Sequence, residues 1–310
     1  MRTLVVRFAA MGDCVMAAWA ATAVRNAHPD GELDWAVESR CAEVIDTDRL
    51  ATRRHEFPRD RWKQGRWSVR TWRDQVSHYS RLRQRDYDLG FDLQGHSKTA
   101  LCLYLAKPRR KIAAFATDAL ARRLNPLAGD PKDGQHMVEW FGEVIGRLGS
   151  FTLPERPLMP VPEPPRTPGA ATIAVGAGQP GKTLSHDAWA RVGRLLLEEG
   201  WKVAYVGGPN EAFEAPERAV NLVGKTTLRQ LIGQIAGSGM VLAGDTGAGH
   251  IAAAYGIPIL SVFGANDPRF FRPYTSRGRV LKRGDRCDFA PEEIVRESKL
   301  LMEGRWPSGS

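Results

Sequence analysis

Apolar and polar positions along this chain fall into two alternating rhythms. Short apolar runs at 3–8, 32–37, 89–93 and 111–115 read as strands, and the stretches 15–26, 69–85 and 97–106 between them carry apolar residues at helical spacing. The rhythm stops at 154–168, where seven prolines (154, 157, 160, 162, 164, 165 and 168) exclude a helix and argue against an interior strand. It restarts with strands at 171–175, 203–206, 241–243 and 259–263 and helices at 189–199, 228–235 and 250–255. Strand–helix alternation on both sides of a linker predicts an α/β protein with two Rossmann-like parallel-sheet domains, 1–153 and 169–310, joined by 154–168. A last helical pattern at 291–302 is expected to pack back on the N-terminal domain.

Each domain opens on a strand that runs into a short polar turn. These turns are Phe8-Ala9-Ala10-Met11-Gly12-Asp13 and Gly176-Ala177-Gly178-Gln179-Pro180-Gly181-Lys182. Such turns lie at the carboxyl edge of a parallel sheet, where open α/β folds bind ligands, so two facing edges predict an interdomain cleft. The most informative turn is Gly244-Asp245-Thr246-Gly247-Ala248-Gly249-His250. It reads as a strand ending in a glycine-rich turn that presents backbone amides, at a helix N-terminus, to an anion. Thr246 adds a hydroxyl there, and Asp245 and His250 add polar groups that a plain connector would not need.

Composition narrows the class. With 43% hydrophobic and 25% charged residues, the 310-residue chain is globular and not disordered. Cys14, Cys41, Cys102 and Cys287 show no Cys-x-x-Cys spacing, which suggests neither a disulfide framework nor a zinc site and suits a reducing compartment. The first apolar run is too short for a signal peptide, and no stretch reaches the ~18 apolar residues of a spanning helix. The expected location is therefore cytoplasmic.

Net charge is +9, and most of the excess sits in one place: positions 53–85 hold eleven Lys or Arg against Glu56, Asp60 and Asp74. Trp62, Trp67 and Trp72 are interleaved there. Such a segment fits nucleic acid, an anionic membrane surface or a phosphorylated substrate, and equally a solvated helix face with its tryptophans turned inward.

Taken in order, the motifs resemble glycosyltransferase family 9, the bacterial heptosyltransferases of the lipopolysaccharide inner core. They are Met11-Gly12-Asp13, Asp92-Leu93-Gln94-Gly95 with Lys98, His136 with Glu139, Gly176-Ala177 leading to Lys182, Gly207-Gly208-Pro209 with Glu211, Asp245-Thr246-Gly247 with His250, and Phe263-Gly264-Ala265-Asn266-Asp267-Pro268. Arg61-Trp62-Lys63 through Trp67-Ser68, then Arg85-Asp86-Tyr87-Asp88, is similar to the heptosyltransferase I type, which adds heptose to the Kdo sugars of lipid A. Two positions depart from the family pattern: Gly249 stands where a methionine is usual, and Leu184-Ser185 where a Trp-Pro pair is usual.

The resemblance implies a GT-B fold and an inverting, metal-independent transfer of heptose from a nucleotide diphosphate, ADP-heptose, to an anionic glycolipid such as Kdo-lipid A. Peripheral contact with the cytoplasmic face of the inner membrane is implied too, with no further cofactor and no nucleic acid. Asp13 reads as the catalytic base, ionised at neutral pH like any exposed aspartate, although a helix-capping role would also explain it. Lys182 reads as the cation that neutralises the departing diphosphate. Gly178, Gln179, Asp245, Thr246, Gly247 and His250 are expected on the donor, with Glu211 on its ribose. Arg61, Lys63, Arg66 and Gln94 are expected on the acceptor. No Asp-x-Asp pair or carboxylate cluster is placed to hold magnesium.

Other readings use the same residues. A protein of this fold could bind an ADP-sugar without transferring it, and the basic segment could bind nucleic acid, though no recognition motif accompanies it. The run from Gly176 to Thr183 also fits Gly-x4-Gly-Lys-Thr, the phosphate loop of NTPases. Against an NTPase, Pro180 removes an amide where a phosphate cradle needs one, and Leu184-Ser185-His186-Asp187 reads as a fresh helix cap.

Overall fold

The computed structural model describes residues 1–161, 163–179 and 181–304. Pro162 of the linker, Pro180 with the argument from its missing amide, and positions 305–310 lie outside them. The chain divides into two compact units, Met1–Pro160 and Val161–Ser310.

In the first unit the order is β1 (Arg2–Val6), α1 (Met11–Ala27), β2 (Glu32–Glu38), a 3-10 turn at Ser39–Val44, β3 (Arg53–Phe57), α2 (Arg59–Gln64), α3 (Val69–Arg83), β4 (Leu89–Asp92), α4 (Ser97–Ala106), β5 (Arg110–Ala113), α5 (Ala119–Leu124) and α6 (Met137–Gly146). Its five strands are all parallel, in the order β3-β2-β1-β4-β5. β1 from Thr3 onward and β4 throughout are buried on both faces, which is why Leu4-Val5-Val6 and Leu89-Gly90-Phe91 read as apolar runs. The order reverses between β1 and β4, the position where an open parallel sheet leaves a crevice at its carboxyl edge.

α1 starts four residues earlier than its apolar spacing suggests. The Asp13 carboxylate accepts the Ala10 N–H at 3.0 Å, which satisfies a donor that a helix end leaves orphaned and moves the helix start back to Met11. Asp13 therefore stands in the first turn of a helix and not in the connecting loop.

The second unit runs β6 (Thr167–Ala174), α7 (His186–Glu198), β7 (Lys202–Val206), β8 (Val220–Asn221), α8 (Leu228–Ala236), β9 (Ser238–Ala243), α9 (Gly247–Ala254), β10 (Ile259–Phe263), α10 (Pro268–Phe271), β11 (Gly278–Lys282) and α11 (Pro291–Met302). The parallel sheet has the order β11-β10-β9-β6-β7-β8, with its reversal between β6 and β9. β6 is an interior strand and yet contains Pro168, inside the stretch from which an interior strand seemed excluded. A register shift against β9 between Thr167 and Ala171 takes up the proline, which has no ladder amide to give. The last helix, α11, packs on α7, β10 and β11 of its own unit.

Two glycines in this unit test packing with opposite signs. A Cβ at Gly193 of α7 would lie 1.6 Å from the buried Tyr205 hydroxyl, which donates to the Trp189 carbonyl at 3.2 Å. A Cβ at Gly233 of α8 would meet nothing within 4 Å. Gly193→Ala is expected to lower the melting temperature through an overpacking cost of about 1–3 kcal/mol. Gly233→Ala is expected to raise it, by about 0.5–1 kcal/mol of helix stability. Thermal melts of the two variants check both signs.

Candidate active site

At the switch point of the first unit, the turn after β1 and the turn after β4 are tied together by one side chain. The Gln94 Oε1 accepts the Phe8 N–H at 2.8 Å and the Ala9 N–H at 3.3 Å. Arg7, buried at the end of β1, donates to the Leu93 carbonyl and places its Nη2 2.8 Å from Asp13 Oδ2. The Asp13 side chain, 31% exposed, is thus fixed by Arg7 from one side and by the Ala10 amide from another, with an open edge left over. Asp13 thus fixes the helix start and still keeps a solvent-facing edge.

That open edge borders a cavity of about 570 Å3. Five cations line it, Arg7, Arg40, Arg59, Lys63 and Lys98, against three acids, Asp13, Glu38 and Asp118. Glu38 already holds Arg40 and Arg59, each at 2.7 Å. Lys98 is held below its ordinary value, first by desolvation and then by repulsion from Arg59 and Lys63, so these three positive groups face one another across shared space. Lys98 also stands at the second position of α4, where a cation opposes the helix dipole. A cavity that gathers like charges at such cost is built for an anion.

Asp92, at the carboxyl end of β4, is fully buried. Its Oδ1 accepts the Gln94 and Gly95 amides at 2.9 and 3.1 Å, which shapes the turn that carries Gln94. Burial outweighs those bonds and pushes its pKa from 3.8 up to about 6. Between those values the native state holds a proton that the unfolded chain has released, so this group's contribution to stability falls as pH rises from about 4 to about 6. Asp92→Asn keeps the Oδ1 acceptor and is expected to flatten that part of the curve. Urea midpoints of the two proteins at pH 4.5 and 7 check it.

In the second unit, three turns meet at the carboxyl edge. The Asp245 N–H donates to the Lys182 carbonyl at 2.9 Å, Lys182 Nζ lies 3.3 Å from Asp245 Oδ2, and Asn266 Nδ2 donates to the same oxygen at 2.6 Å. Gly244 allows this approach, since a Cβ there would stand 2.2 Å from the Lys182 carbonyl oxygen. Thr246 N-caps α9, and its buried Oγ1 makes no hydrogen bond among the described residues. An amine, an idle hydroxyl and the first-turn amides of α9 thus converge as a diphosphate would need. Glu211 packs over Gly176 and takes His186 Nε2 at 3.2 Å, while Gly178 and Gln179 are exposed in the loop after β6. His250 is buried within α9.

Both departures from the family pattern are accounted for locally. Pro273 Cγ is 3.2 Å from where a Cβ at position 249 would be, so a neighbouring segment occupies that space. Leu184 joins the core, and Ser185 caps α7 by accepting the Ala188 N–H at 3.2 Å. That cap also bears on the phosphate-loop pattern. α7 opens at His186, so Lys182 and Thr183 do not begin a helix, and the Thr183 hydroxyl is engaged by Trp189 Nε1 at 2.8 Å. A phosphate loop needs both at a helix start, free to reach phosphate and magnesium.

The acceptor-side residues read from sequence divide. Lys63 and Gln94 line the cavity with Asp13, whereas Arg61 pairs with Asp74 beside a smaller cavity of about 220 Å3, and Arg66 lies over the Trp67 ring at 5.2 Å. Trp62 packs inward against Phe57 and His78, with its Nε1 on Asp74 at 2.7 Å. The sequence reading missed Arg7, Arg40 and Arg59 and gave Lys98 and Asn266, both within its motifs, no role. Only Lys98 carried a readable signal, its charge at a helix start.

Two Rossmann-like parallel-sheet domains are the GT-B architecture. The Escherichia coli heptosyltransferase WaaC with ADP matches with a TM-score of 0.80, over 97% of this chain and 100% of that one, at 22% identity. WaaC with ADP-2-deoxy-2-fluoro heptose gives 0.78 over 96% and 99%, also at 22% identity. The family model of glycosyltransferase family 9 (heptosyltransferase) matches residues 75–293, and the chain belongs to this family. The lipopolysaccharide heptosyltransferase 1 of Pseudomonas aeruginosa is 30% identical over 293 residues, 88% of this chain and 81% of that protein. Its counterpart in E. coli K12 is 24% identical over 303 residues, 91% and 93% of the two chains.

Proposed function

We infer that this protein transfers heptose from ADP-heptose, with inversion, to an anionic glycolipid of the lipopolysaccharide core, of the Kdo-lipid A kind. The observation that carries the reading is Asp13, fixed by Arg7 and the Ala10 amide at the edge of a cavity lined by Arg59, Lys63 and Lys98. Arg61 and Arg66 continue the positive charge outside that cavity, and Gln94 holds the turn that presents the base.

The donor occupies the second unit. Its diphosphate takes Lys182, the Thr246 hydroxyl and the amides of Gly247 and the Gly178–Gln179 loop, Asp245 accepts from the sugar, and Glu211 accepts from the ribose. His250 supports the turn from within α9. The acceptor occupies the first unit, with its carboxylates or phosphates on Arg59, Lys63 and Lys98. Asp13 accepts the proton of the acceptor hydroxyl as that oxygen attacks the anomeric carbon from the face opposite the diphosphate. The anomeric C–O bond breaks, and ADP leaves with a charge that Lys182 and the dipole of α9 stabilise without a divalent ion. The reaction takes place at the cytoplasmic face of the inner membrane. No helix among the described residues is long and apolar enough to cross a membrane.

The test is incubation of purified protein with ADP-heptose and Kdo-lipid A, without and with a chelator, with release of ADP and the mass of the glycolipid as readouts. A gain of one heptose per acceptor is expected in both conditions. Stabilisation by ADP-heptose without transfer would leave a binding protein of the same fold. Magnesium-dependent ATP hydrolysis without transfer would leave an NTPase.

A further inference from the structure

The outward face of α3 carries side chains that a solvated helix has no use for. Trp67 is 84% exposed, Val69 69%, Trp72 63% and Val76 61%. Val69, Trp72 and Val76 are spaced i, i+3, i+7 and so form one stripe, opposite the face that buries Thr71 and Leu82. Arg73 and Arg83 fall on the same side of the helix and Arg66 lies beside Trp67 ahead of it, and all three are exposed. The segment from 61 to 85 has a single carboxylate, Asp74, and that one is turned to Arg61, Trp62 and His78. This stripe and the Trp67 turn therefore combine two tryptophans and two valines with three arginines and no acid.

We propose that this face of α3, with the Trp67 turn leading into it, seats on an anionic membrane surface. Tryptophans settle at the headgroup level, valines reach the acyl boundary, and arginines draw the face to acidic lipids. Other occupants fit less well. A second copy meeting the same face two-fold would set three arginines against three arginines. A single-stranded nucleic acid would stack on the tryptophans but leave the valines without a partner. The surface deepens the reading of an anionic glycolipid acceptor and rests on it for its purpose. α2 supplies Arg59 and Lys63 to the cavity, and the next turn supplies Trp67, so an acceptor anchored in the bilayer reaches the cavity from the docked edge.

The test uses the full chain and co-sedimentation with phosphatidylcholine vesicles containing or lacking phosphatidylglycerol. Binding to the acidic vesicles is expected to be at least tenfold tighter and to weaken with salt. Trp67→Ser with Trp72→Ser is expected to reduce it at least tenfold, because both side chains are exposed and add little to the fold; an unchanged melting temperature checks that. The double variant should transfer to a soluble acceptor fragment as the parent does and lose activity on acceptor presented in vesicles. Parental vesicle binding by the double variant would overturn the proposal. So would equal binding to neutral vesicles, or a parent dimer that the variant splits in the absence of any vesicle binding. Vesicle binding needs no turnover, so a failed transferase assay and a failed docking assay remain separate results.

Discussion

Asp13→Asn is expected to lower kcat by about 10²- to 10⁴-fold while leaving the KM for ADP-heptose nearly unchanged. The substitution is almost isosteric. It keeps an oxygen for the Ala10 N–H and so keeps the helix start, but it removes the carboxylate proposed to take the acceptor proton. It also breaks the ion pair with buried Arg7, which retains its bond to the Leu93 carbonyl. A loss of structure must be told apart from a loss of chemistry, and the KM-against-kcat split does this because the proposed donor site lies in the other unit. Asp13→Glu keeps the charge but moves it by one methylene, and is expected to fall between parent and Asn. Steady-state kinetics with both substrates, beside a thermal melt, decide it. Turnover within threefold of the parent in a folded Asn variant would remove Asp13 from the mechanism.

Lys182→Met is expected to cost about 10²- to 10³-fold in kcat/KM, the range for losing one pre-organised group at a developing charge. Here kcat and donor KM should both worsen, since the ammonium meets the diphosphate before and after the bond breaks. Inhibition by product ADP should weaken in parallel. The turn itself should survive, because the Lys182 contact that holds it is the backbone carbonyl taking the Asp245 amide, and Asn266 still occupies Asp245. Lys182→Arg is expected to recover only part of the loss, a planar fork being a poor substitute for a compact ammonium beside Asp245. Initial rates over a donor series, with ADP inhibition constants, test this; an unchanged ADP constant would place Lys182 away from the diphosphate.

The sequence was legible where burial writes a local pattern. All three strands it missed, β3, β8 and β11, lie at sheet edges. An edge strand has a neighbour on one side only, and β3, with the sequence Arg-Arg-His-Glu-Phe, carries the charges that discourage further pairing and hide the strand in a basic run. Interior strands β1, β4, β9 and β10 showed as apolar runs because both of their faces are covered. The site follows the same division. Its glycine-rich turns at 176–182 and 244–250 could be read, because the backbone conformation they need is encoded in the turn itself.

What the chain alone determined is therefore its class: two parallel-sheet domains about a proline-rich stretch, the turns that bear the ligand groups, and a basic, tryptophan-bearing segment. What only the tertiary structure decided is which way that chemistry faces. Arg7 reaches Asp13 within one turn, but the turn that carries the pair is held by Gln94, 86 residues beyond Phe8, and Lys182 and Asn266 meet on Asp245 only when β6, β9 and β10 lie side by side. Within the basic segment the phase of two helices turns Arg59 and Lys63 to the cavity, Trp62 to the core and Trp72 to solvent, and the turn between them exposes Trp67. Composition counts charges and rings. Their direction is set by packing between elements distant in the chain, and no local pattern records it.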